Sequence, residues 1–103
     1  MALETQNVLH AAAQVDTAVA GSFLANKGFS AIARTGAGDV TLTFDQQIAD
    51  LERVPVITSK KAAPGLIAAW TTPDATSIRV TLVSDAAAAA DGQFSIAVFK
   101  LVF

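Results

Sequence analysis

The chain has 103 residues, 52% of them apolar and 16% charged, with a net charge of −2 and a mean hydropathy of +0.48. That length supports one domain, because half of it could not bury a core, and the scattered basic residues, with Lys60-Lys61 the only adjacent pair, argue against nucleic acid as a partner. No run approaches the roughly 18 apolar residues of a membrane-spanning helix, Met1 to Asn7 lacks the basic start of a signal peptide, and the absence of Cys removes disulfides and thiolate chemistry, as fits a reducing compartment.

Met1 to Asn7 is polar and reads as an N-terminal arm ahead of a domain spanning residues 8–103. The alanines of Leu3 to Val15 allow a short helix, but Val8 to Gln14 is expected as a strand or extended arm and Thr17 to Leu24 as a strand, since tertiary pairing overrides Ala propensity. Gly28 to Asp45 reads as a hairpin whose turn is Gly36-Ala37-Gly38-Asp39, with Gly36 or Gly38 supplying positive φ. In its second strand Val40, Leu42 and Phe44 face one way, and Thr41 and Thr43 the other. Gln46 to Glu52 is a polar connection. Arg53 to Ser59 is a β-type run interrupted by Pro55, which places it at a sheet edge or starts it at the proline.

Lys60 to Gly65 reads as a loop, Leu66 to Thr71 as a strand, and Thr72-Pro73-Asp74-Ala75 as a turn. From Ser77 to Val83 the inward residues are Ile78, Val80 and Leu82. Ser84 to Gln93 connects to a last strand that begins with Phe94, Ile96 and Val98 and runs through Phe99 and Leu101 to Phe103; the alanines from Ala86 to Ala90 allow one helical turn. Six or seven short strands with turn chemistry between them predict an all-β, single-domain antiparallel β-sandwich or jelly roll.

Chemistry-bearing residues are sparse. His10 is the only histidine and reads as a surface or interface residue, so no Ser-His-Asp arrangement is expected. Asp39 with Asp45 lack the ligand density of a calcium loop, while Asp85 and Asp91 bracket the alanine run and could draw together at a loop base as a minor alternative for a metal. Gly36-Ala37-Gly38 opens a strand and not a helix, so it is no phosphate cradle. No catalytic, cofactor-binding or metal-ligating residue is assigned, and no enzyme activity is expected. Trp70, among Ile67, Ala68 and Ala69, reads as a core or subunit-contact anchor, and the same is expected of Phe44, Phe99, Leu101 and Phe103. Apolar excess on so small a chain points to surface buried between subunits.

The segment Arg34-Thr35-Gly36-Ala37-Gly38-Asp39-Val40-Thr41-Leu42-Thr43-Phe44-Asp45 resembles the strand-turn-strand of small bacteriophage virion proteins. Head-decoration, head-fibre and tail-fibre domains of this kind are often jelly rolls similar to the tumour-necrosis-factor and complement globular-head family. Arg34, Gly36, Gly38, Val40 and Phe44 carry the match. The resemblance implies a structural virion protein made in the host cytoplasm, a homotrimer docked on the major capsid protein as a decoration or cement protein. A receptor- or carbohydrate-binding fibre tip is the alternative it implies.

Overall fold

The computed structural model describes residues 8–18, 21–48, 52–59, 66–84 and 88–101. The predicted arm, Lys60-Lys61, Asp85 and Phe103 lie outside the described residues. Among the described residues eight strands form two four-stranded antiparallel sheets, confirming the all-β sandwich. They are β1 (Val8–Asp16), β2 (Ser22–Lys27), β3 (Phe29–Gly36), β4 (Asp39–Phe44), β5 (Arg53–Ser59), β6 (Leu66–Asp74), β7 (Ser77–Ser84) and β8 (Gln93–Lys100). One sheet runs β2-β1-β8-β5, the other β3-β4-β7-β6. The hairpins β1–β2, β3–β4 and β6–β7 each stay within one sheet, and the chain changes sheet at its other connections.

The core follows from period-2 alternation. Ala11, Ala13, Val15, Phe94, Ile96 and Val98 project inward from the first sheet, while Val40, Leu42, Ile78, Val80 and Leu82 project from the second, and all are buried. Phe29 and Phe44 stack at one end with ring centroids 5.2 Å apart. The expected inward set of β7 and the hairpin are therefore in place, as is the edge position of the proline-bearing strand β5.

Several boundaries differ from expectation, each for a local reason. The second strand begins at Ser22 and not at Thr17. Thr17 is instead a buried corner whose N–H donates to the Gly92 carbonyl (2.9 Å) and whose hydroxyl donates to Asp91 (2.9 Å). β1 stops at Asp16, whose carboxylate accepts the Ala18 N–H (2.9 Å). Gly28 joins β2 to β3 across the sandwich at φ +92°, and a side chain there would meet the His10 carbonyl oxygen at 2.7 Å. β6 runs through Pro73 because the proline falls in a register break on an open edge, where no ladder bond needs its N–H. The turn follows at Ala75-Thr76, held by Asp74, which accepts from the Thr76 N–H (2.8 Å) and the Thr76 and Ser77 hydroxyls. Ala89, placed in a connection, makes an isolated antiparallel bridge to Val83. Ile48, within the expected polar connection, is buried.

Candidate interaction surface

Of the predicted contact residues, Phe44 belongs wholly to the interior. Its ring receives the edge of His10 at 5.2 Å and carries the Arg53 guanidinium 5.1 Å above its centre. Trp70 is 43% exposed, so its core reading is corrected. It shares the inner face of its sheet with its partner Val80, but β6 is the last strand of that sheet, and among the described residues no strand lies beyond it to cover the indole. Phe99 and Leu101 are half-buried, and the Leu101 N–H donates to the Glu52 carbonyl (2.8 Å) beyond the end of β8. Gly38 supplies the positive φ of the hairpin, +65°, and Gly36 does not.

Strand register assembles the outer face of the β2-β1-β8-β5 sheet from residues far apart in sequence. Leu9, Phe99 and Val54 are partners in one row across β1, β8 and β5; Ala12, Ala97 and Val56 form the next. Leu9 and Val56 are about half exposed, and Phe99 and Val54 partly so. A third row, Ala25, Gln14, Ser95 and Thr58, turns polar. Beside it a shallow open groove of about 390 Å³ is floored by small side chains, with Lys27 and Asn26 at its rim. The opposite outer face differs in chemistry: Thr41, Thr43, Thr81 and Arg79 alternate with the buried residues of β4 and β7.

Polar groups concentrate in three intramolecular nodes, two at the surface and one, at Arg53, buried. Asp91 accepts from the Arg34 guanidinium (2.8 Å), the Gly38 N–H (2.8 Å) and the Thr17 hydroxyl, which ties the hairpin turn to the approach to β8. The hydrogen bond from Arg34, then that from Gly38, hold its carboxyl below the ordinary aspartate value. Asp39 is likewise held low by its hydrogen bond from Arg79, whose Nε lies 2.8 Å away. Arg53, 6% exposed, donates to the carbonyls of Ile48, Ser77 and Asp74, and so clasps β5 to the far sheet. Sequence reasoning missed Arg53 because its acceptors are main-chain oxygens, which no side-chain motif announces.

No group of three or more His, Asp or Glu side chains able to hold a metal occurs among the described residues. His10 bonds the Gln46 carbonyl through Nε2 (2.9 Å), and Asp39, apart from the exposed Asp45, is engaged by Arg79. What the arrangement presents to solvent is apolar area with a polar border. Compared with known proteins, the chain matches no family model, no curated protein and no solved structure.

Proposed function

We propose that this is a structural, non-enzymatic protein that works by self-association through the outer face of the β2-β1-β8-β5 sheet, and that it serves a virion as a capsid decoration or cement protein. The observation that carries the self-association is the pair of apolar rows Leu9-Phe99-Val54 and Ala12-Ala97-Val56, set on the solvent side of a sheet whose other side already holds the core. An antiparallel sheet that is wet on one face normally alternates apolar with polar residues. Here two successive rows of the wet face are apolar across three adjacent strands. The capsid role and a trimeric count rest on the likeness of the Arg34 to Asp45 hairpin to phage virion domains.

Light scattering of the isolated protein is the direct test. The wild-type chain is expected at a multiple of 10.6 kDa, with three copies the proposed count for this contact, and Val56→Lys is expected to divide the assembled mass by three without loss of fold. Val56 is 53% exposed, so the lysine disturbs only the contact. Co-sedimentation with capsid shells lacking the protein should be strong for the wild type and lost in Val56→Lys. A wild-type monomer at micromolar concentration would overturn self-association. Adsorption to host cells without shell binding would replace decoration by a fibre tip.

A further inference from the structure

We propose that β6 is a docking edge for a second copy of this chain, the two β6 strands pairing antiparallel across a two-fold axis centred on Ala69, so that the two β3-β4-β7-β6 sheets become one eight-stranded sheet. This contact goes beyond the self-association already proposed and uses different residues.

The first argument is the contrast among the four sheet edges. An edge strand turns the N–H and C=O of every second residue outward, and folded proteins blunt such edges with bulges, prolines or charges. β2 has a register break opposite Gln14 and carries Lys27; β3 has two register breaks; β5 has Pro55 in its middle. β6 is different. From Leu66 to Thr71 it pairs with β7 without a break, and Ile-Ala-Ala-Trp-Thr over positions 67 to 71 contains neither a charge nor a proline. The break and Pro73 come only after Thr71. Ile67 and Trp70 are 59% and 43% exposed along this stretch, the combination expected of an edge made to be covered.

The second argument is self-complementarity. In an antiparallel pair related by a two-fold axis perpendicular to the sheet, directly opposed residues share a face, so their numbers sum to a constant even value. With Ala69 opposite its own copy, Trp70 faces Ala68 of the partner subunit on the inner side, and Ile67 faces Thr71 of the partner subunit on the outer side. Each large side chain then meets a small or β-branched one. Ala68 is half-buried against the core and Ala69 is exposed, so the indole of one copy covers the rim left open beside the other.

The third argument is area. Pairing along β6 takes the exposed surface of Ile67 and Trp70, 59% and 43% accessible in the single chain, out of water and adds main-chain hydrogen bonds. It is isologous and closes at two copies, so with a three-fold contact on the other sheet it would join trimers in pairs.

The chain has no cysteine, which makes a crosslinking test clean. Ala69→Cys places two thiols across the axis at cross-strand spacing, within reach of a disulfide. It is expected to form a covalent dimer under mild oxidation at least tenfold faster than Ala33→Cys on the exposed outer side of β3. Ile67→Cys and Thr71→Cys should crosslink with each other more readily than either does with itself. Independently, Ala69→Lys and Ala69→Glu should each lose the two-fold contact, and an equimolar mixture should restore it. Ala69→Cys crosslinking no faster than Ala33→Cys overturns the proposal, as does unchanged mass in both charged variants. Such a failure in a chain that still assembles and binds shells leaves the sheet-face reading standing. Efficient crosslinking in a chain that binds no shell overturns the capsid reading and supports β6 pairing.

Discussion

At position 38 the backbone sits at φ +65°, and a Cβ there would collide with the Ala90 carbonyl oxygen and approach that of Leu82 to 2.7 Å. The Gly38 carbonyl also accepts the Leu82 N–H at 2.7 Å, so the turn cannot back away without breaking a bond. Gly38→Val should therefore destabilise the protein by more than about 2 kcal/mol, combining left-handed strain with overpacking. Gly36 has open space where a Cβ would stand and no positive φ, so Gly36→Ala should change stability by less than about 0.5 kcal/mol. Urea denaturation of the two variants checks both numbers. That the turn needs a glycine was legible in Gly-Ala-Gly-Asp; which glycine was not, because the choice depends on Leu82 and Ala90, far along the chain. Trp70 teaches the same lesson from the other side. Its apolar neighbours in sequence suggested an interior position, but exposure is decided by whether a strand lies beyond β6, and local composition does not contain strand order.

Among the elements, β5 is held to the opposite sheet by Ile57 against the core and by the guanidinium of Arg53, which serves carbonyls of the β4–β5 connection, β6 and β7. Arg53→Met keeps the length of the stem and removes the donors, leaving several buried acceptors unserved at about 1 kcal/mol or more each. A loss of about 3 kcal/mol in chemical denaturation is expected, with β5 amides exchanging fastest. The Asp91 node binds β3, the turn and the start of β8 in the same manner, and it adds a pH dependence. Asp39 and Asp91 have folded pKa values depressed below the ordinary aspartate value of about 3.9. Their stabilisation is complete above that value and lost as pH falls through the lower folded values. The melting temperature should accordingly be flat from pH 7 to about 5 and drop below about 4. Asp91→Asn should narrow that drop, because it removes one of the titrating carboxylates. Alternation made β4, β7 and β8 readable in the sequence. These clasps were not, since Arg53, Thr17 and Asp91 act on main-chain groups or distant partners whose proximity only the fold creates.

For the molecule as a whole, the described residues show where much of the apolar composition lies: a large part is interior, Leu9 and Val56 stand on one outer sheet face, Ile67 and Trp70 on the β6 edge, and Leu24 on the edge strand β2. The sandwich class followed from strand spacing alone; the faces required register, because Leu9, Val54 and Phe99 become neighbours only through β8 pairing with both β1 and β5. That same pairing has a mechanical consequence. Val8 and Lys100 are partners in the ladder, so the described chain enters and leaves at one pole of the sandwich. A tension applied between those two positions loads the β1–β8 ladder one rung at a time, as in opening a zipper, and should unfold the domain at low force. Cargo fused before Val8 and after Lys100 would hang together from that pole.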